Sequence, residues 1–486
     1  CDIAINQGYR QRETETMVTI LGTHTVIPKE ETPKGLLWLS DNDQLWRWSH
    51  TPSIYVYKSK QNNNTVLVER MRDSLSEILV HYYPLAGRLN WTAGGRLELD
   101  CNANGALLLE AESKKSMAEY GDFTPNQPGI KELIPAVDYS RQMNELPLFL
   151  AQVTKFHGGD GGFAVGILWS HPLGDGLAAI RFINSWAKLT RGAKLDPSEL
   201  PFLDRSALKS TEPLTSPRFD HREFKPLPLI LGRTDNIEEQ KKKTTFALLK
   251  LTSEHVQKLK KNAIVTENGN GNGNGNGPHN QSQRPYSRFE VISAHIWRCA
   301  CKARNLEENQ PTVVKFNVDI RNRMNPPLPQ NYFGNALGPT VTPTCYLKEI
   351  TSQPISYAAQ KIREAVKKVS NHEFVKSQMD YVAGFENRWD LIRTPYLEKG
   401  EYRADVPFFG NPNIILGSWM SMPFYEADFG LGKPFYFGPA GVCPYDRAVI
   451  ALMPDEDGDN GYAVVVYMHF QVEHMKDFIK YFWEDI

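Results

Sequence analysis

Apolar positions along this chain keep two rhythms, and both recur in each half. Phe163 to Trp169, Thr244 to Leu251, Val313 to Ile320 and Ala463 to Phe470 are apolar stretches of strand length, and short stretches of that kind predict strands. Alternation at Met17 to Ile20 and an apolar run at Ile54 to Tyr57 read the same way. Spacing of three and four predicts helices over Val68 to Leu79, Ser253 to Lys261, Ala294 to Arg304 and Ser356 to Val369. On the first, Leu75, Ile78 and Leu79 share a face; on the last, Ala359, Ile362 and Val366 do. The mixture predicts two related α/β domains, at 17–215 and 244–486, joined by a proline-rich crossover at 216–243. Residues 1–16 are polar and unpatterned and read as a disordered leader ahead of a start at Met17. The Asn-Gly run from Asn268 to Gly277 has nothing apolar to bury and predicts a mobile insertion over 266–283.

Composition narrows the function classes. The 486 residues are 41% hydrophobic, enough for a large core, and 55 basic against 56 acidic side chains leave a net charge of -1. Neither nucleic acid nor an anionic membrane is implied as a partner by that balance. The chain has no apolar run of membrane-spanning length and its first residues lack a signal-peptide core, so a cytoplasmic protein is expected. The six cysteines are scattered without metal-ligand spacing, and Cys299 and Cys301, on one predicted helix, point about 200° apart. Reduced packing residues and no metal site are the expectation.

The chemistry gathers where one buried strand ends. After Phe163 to Trp169 come Ser170, His171, Pro172, Leu173, Gly174, Asp175 and Gly176, then a helical pattern from Leu177. A histidine held at a strand end, with an ordinary pKa near 6.5, suits a general base. Asp175, four residues on, is near enough to brace the turn and fix the imidazole; alone, the spacing fits a structural histidine better than a catalytic one. A second glycine-rich stretch, Ser418-Trp-Met-Ser-Met-Pro-Phe-Tyr-Glu-Ala-Asp-Phe-Gly-Leu-Gly432, lies near the C-terminus.

Together these stretches resemble the paired His-x-x-x-Asp and Asp-Phe-Gly-Trp-Gly signatures of the plant BAHD acyl-CoA-dependent acyltransferases. Tyr83-Pro-Leu-Ala-Gly-Arg88, Asp319-Ile-Arg-Asn-Arg323 and Tyr332-Phe-Gly-Asn335 extend the resemblance over most of the chain, and Leu431 stands where the family has tryptophan. The resemblance implies two domains of chloramphenicol-acetyltransferase type with an active-site tunnel at their interface. It further implies coenzyme A thioester as co-substrate, no bound cofactor, and a monomer.

Residue by residue, the resemblance makes His171 the general base and Trp419 a candidate oxyanion donor, with a buried core tryptophan as the alternative. Asp428 becomes a loop-fixing residue, with a catalytic role as the alternative and Arg321 as its candidate partner, and Asp175, Gly176, Gly430 and Gly432 become motif-structural. His50, Ser421, Glu426 and Asp319 fall to the acceptor pocket. In Ser418 to Gly430 and Leu36 to Asp43 the chain resembles the branch that acylates spermidine. In the shikimate branch an arginine that binds the acceptor's carboxylate stands where this chain has Ser421. Its absence favours an amine acceptor held by Glu426 and Asp319, with a shikimate or quinate O-acyltransferase as the alternative. A kinase would need a His-Arg-Asp loop and a serine hydrolase a Gly-x-Ser-x-Gly elbow, and neither is present. A degenerate binding protein of the same fold is the remaining rival.

Overall fold

The computed structural model describes residues 16–486 apart from 47, 60–63, 159–160, 265–283, 386–407 and 455–460. The predicted leader, except residue 16, and the predicted Asn-Gly insertion lie outside the described residues. The strands of the two large sheets are, in the first half, β1 (Val18–Val26), β2 (His50–Tyr57), β3 (Ala106–Ser113), β4 (Phe149–Phe156) and β5 (Phe163–Ser170). Those of the second are β6 (Thr244–Leu251), β7 (Val314–Asp319), β8 (Leu337–Val341), β9 (Ile414–Ser418), β10 (Tyr436–Pro439), β11 (Arg447–Pro454) and β12 (Tyr462–Gln471). The main helices are α1 (Asn64–His81), α2 (Gly176–Thr190), α3 (Ser253–Asn262), α4 (Arg288–Arg304), α5 (Ile355–Val369), α6 (His372–Ala383) and α7 (Val472–Glu484).

They build two six-stranded sheets, β1-β3-β4-β5-β2-β10 and β8-β7-β9-β11-β12-β6, each mixing parallel and antiparallel neighbours. In both, an antiparallel pair leads into a helix that packs on the sheet: β4-β5 into α2, and β11-β12 into α7. The two copies differ at that junction. In the second, α7 follows β12 without a break, while in the first the loop from His171 to Asp175 intervenes. His171 is the first residue of that intervening loop.

Local chemistry accounts for these elements. All eight residues of β5 are buried, as its unbroken apolar run predicts. Helix α4 starts at a capping box in which Ser287 and Glu290 exchange hydrogen bonds, and it is covered on most sides, so that Cys299 and Cys301 are both buried. Sheet membership departs from chain order at one place. Strand β10, from the C-terminal half, pairs with β2, Phe437 opposite Tyr55 and Tyr436 opposite Val56. Phe424, Phe429, Leu431 and Phe437 join the core beneath the first sheet. The first sheet and its core are therefore built from residues on both sides of the crossover. Among the described residues no helix is long and apolar enough to cross a membrane.

Candidate active site

His171 opens a short 3-10 turn that ends at Gly174, and the next residue, Asp175, caps α2 by accepting from the Ala178 amide at 3.0 Å. A side chain at position 174 would meet the Ala178 methyl at 2.9 Å, so the tight turn requires glycine there. The Asp175 carboxylate is otherwise spent on the second half: Arg321 donates to both its oxygens at 2.9 and 3.0 Å, and the Ala336 amide donates at 2.9 Å. Both members of this pair are buried. Two sequence-based expectations are corrected here. Asp175 makes no hydrogen bond to the imidazole, and Arg321 pairs with Asp175, not with Asp428. The forked guanidinium matches a carboxylate that already faces it from the helix cap, and the pair ties the histidine loop to β7 and the turn before β8.

The imidazole is held by Asn335, a residue the sequence marked only as part of a turn. Its Oδ1 lies 3.1 Å from His171 Nδ1, while its Nδ2 donates to Asp43 Oδ1 at 2.9 Å and to the His171 carbonyl at 3.0 Å. Both amide hydrogens are thereby committed to acceptors, so Oδ1 must be what faces the ring. It accepts from Nδ1–H, and the proton-free lone pair falls on Nε2. Asp43 is fixed in turn by Arg205 at 2.7 Å and by the Ser40 hydroxyl at 2.7 Å. Trp46 stacks on the ring, centroids 4.0 Å apart and planes 7° from parallel. Burial dominates the titration, lowering the His171 pKa to about 4, against smaller contributions that include Asp175 and Asn335 raising it. The ring is a neutral base throughout the physiological range.

The second loop approaches the same helix. Met422 lies against Gly176, where a Cβ would come within 3.1 Å of its methyl, and Asn184 of α2 donates to the Pro423 carbonyl at 3.0 Å. Asp428 accepts from the amides of Gly430 and Gly432 at 2.8 and 2.9 Å, and both glycines have positive φ, +90° and +82°. Arg191 donates to the Asp428 carbonyl. Leu431 is buried in the first core. Trp419 is half-buried among Phe424, Phe437 and Tyr467, and its indole N–H has no partner among the described residues.

The expected acceptor residues do not converge. His50 spends both ring nitrogens, at 3.0 Å from the Tyr139 hydroxyl and 2.7 Å from the Pro147 carbonyl. Asp319 already accepts from the Arg321 amide at 2.9 Å and from its guanidinium at 3.3 Å. Glu426 and Ser421 are exposed. Asp43, Trp46, Arg205 and Asn335 were not legible as site residues, because no spacing links them to His171. Among the described residues no three His, Cys, Asp or Glu side chains stand as a metal cluster.

The buried Asp175–Arg321 pair gives a direct test of how the loop is anchored. Arg321→Met is expected to leave Asp175 buried and unpaired and to cost about 3–5 kcal/mol, read as a lower urea midpoint. An unchanged midpoint would mean that the pair does not hold the two halves together.

A family model described as the Transferase family matches residues 16–485. The chain is 40% identical to hydroxycinnamoyl-CoA:piscidic acid hydroxycinnamoyltransferase of Actaea racemosa, over 97% of this chain and 100% of that one. It is 34% identical to shikimate O-hydroxycinnamoyltransferase of Nicotiana tabacum, over 94% and 98% of the respective chains. In fold it is similar to the crystal structure of vinorine synthase, with a TM-score of 0.65 at 21% identity over 95% of this chain and 96% of that one.

Proposed function

The chain belongs to the Transferase family, the BAHD acyl-CoA-dependent acyltransferases, and from that premise we propose that it moves a hydroxycinnamoyl group from its coenzyme A thioester to a small acceptor bearing a carboxylate. The observation that carries the chemistry is the Asn335 amide on His171 Nδ1, which leaves Nε2 as the proton acceptor. As the acceptor's oxygen attacks the thioester carbonyl, Nε2 takes its proton. Collapse of the tetrahedral intermediate breaks the carbon–sulfur bond, and the same proton passes to the departing thiolate. Trp419, with its N–H uncommitted, is assigned to the intermediate's oxyanion.

Two considerations favour an acid over a polyamine as acceptor. The relatives named above act on piscidic acid and on shikimate. Asp319, one of the two carboxylates expected to hold a polyamine's distal charge, is already engaged by Arg321. N-acylation of spermidine is the second reading, supported by Ser421 in place of an arginine.

The pH profile separates the two. With a hydroxyl acceptor, kcat/KM is expected to stay level from pH 6 to 8, because a base whose pKa is lowered to about 4 is already neutral there. With spermidine the rate should climb with pH, since an ammonium of pKa near 10.4 gains neutral fraction about tenfold per unit. Thiol release from p-coumaroyl-CoA with shikimate, piscidic acid and spermidine, checked by product mass, makes the measurement. Turnover of spermidine alone would remove the acidic-acceptor reading.

A further inference from the structure

We propose that Arg447 binds the carboxylate of the acyl acceptor, an assignment that rests on the acidic-acceptor reading above. Arg447 opens β11, whose Ala448 and Ile450 pack into the helix-covered core while Val449 and Ala451 pack with Phe246, Tyr467 and Trp419 on the opposite face. Strand alternation puts Arg447 on that second face, the one that carries Trp419.

Among the described residues the Arg447 guanidinium makes no hydrogen bond or ion pair, and its Nε is buried without a partner. Arg447 is half-buried; the deeply buried arginines of this half, two of which also leave Nε unpartnered, each have a carboxylate: Arg304 has Asp446, Arg321 has Asp175, and Arg363 has Glu290. Among the described residues the neighbours in the sheet supply no counter-charge. Lys315, Ile415, Arg447 and His469 stand in one row across the sheet. The Lys315 ammonium donates to the main-chain carbonyl of Glu223 at 2.8 Å, and the His469 ring accepts from the Cys443 amide at 2.9 Å. Among the described residues the row therefore holds two cations without a paired carboxylate, and a half-buried guanidinium with no counter-charge has N–H donors free for an anionic ligand.

The charge of the guanidinium is also felt at the reacting centre. It opposes protonation of His171 as well as of His469. A fork of N–H donors in that place suits a planar carboxylate and repels a polycation. The phosphates of coenzyme A are a poorer match, because the pantetheine arm keeps them many bonds from the thioester carbonyl. Arg447 thus supplies from β11 the charge that Ser421 lacks in the loop after β9.

The test compares acids with their esters. Wild type, Arg447→Gln and Arg447→Lys are assayed with p-coumaroyl-CoA and with shikimate, piscidic acid and their methyl esters, folding being checked by circular dichroism. In Arg447→Gln the ratio of kcat/KM for acid over ester is expected to fall about 10- to 100-fold, the range of one lost charge-assisted bond, and Arg447→Lys should keep part of it. An unchanged ratio in an enzyme that does turn over the acids overturns the assignment and leaves the acidic-acceptor reading standing. A rise in KM for p-coumaroyl-CoA alone would move Arg447 to the donor and also overturn it. Wild-type turnover of none of the acids overturns both.

Discussion

His171→Ala is expected to lower kcat by about 10²- to 10⁴-fold, the contribution usual for a positioned general base, while the KM for p-coumaroyl-CoA changes little. The reason is geometric. Asn335 accepts the Nδ1 proton, so Nε2 is the atom left to take another, and alanine offers no replacement. Stopped-flow or single-turnover thiol release would separate this loss of chemistry from slow product release. A loss of less than about tenfold would mean that another group takes the proton. The variant should remain folded, because the loop is anchored by the Asp175–Arg321 and Asp43–Arg205 pairs and not by the imidazole.

Mild acid is expected to unfold the protein. Burial is the main cause lowering the pKa of four histidines: His50, His171 and His295 to about 4, and His469 to about 3. Each is neutral in the folded chain below pH 6.5, where an unfolded histidine binds a proton. The unfolded state therefore takes up more protons as pH falls, and stability present above 6.5 drains away toward pH 4. At pH 5 each such group costs about 2 kcal/mol, so the four together remove roughly 8 kcal/mol, comparable with the whole stability of an ordinary domain. Urea midpoints measured from pH 7.5 to 5 should fall steeply. A flat series over that window would show that these rings are hydrated or protonated in the folded state.

The fold was legible wherever it depends on local pattern. The buried run at Phe163–Trp169 became β5, and spacing placed α3 and α5 to within a residue or two of their observed ends. Strand β10 was not legible, because Tyr-Phe-Gly-Pro is too short to show a period and pairs with β2 across most of the chain. The site divides in the same way. His171 stands at a strand end followed by a glycine turn, which a single sequence displays. Asn335 and Asp43 meet 292 positions apart, and Arg321 meets Asp175 across 146, distances at which one sequence carries no pairing signal. Arg447 escaped notice because an arginine at the mouth of an apolar strand looks like an ordinary solvated strand end.

The borrowed strand also bears on how the chain is made. During synthesis the first five strands of the N-terminal sheet emerge long before Tyr436, yet β2 has no neighbour on its outer side until Tyr436–Pro439 arrives. Until nearly all of the polypeptide has left the ribosome, β2, with Ile54 and Val56 otherwise fully covered, is an open edge available to other chains. The first sheet cannot be completed from the first half alone, so a nascent chain stalled in the crossover is expected to hold an unfinished sheet edge and not a finished domain.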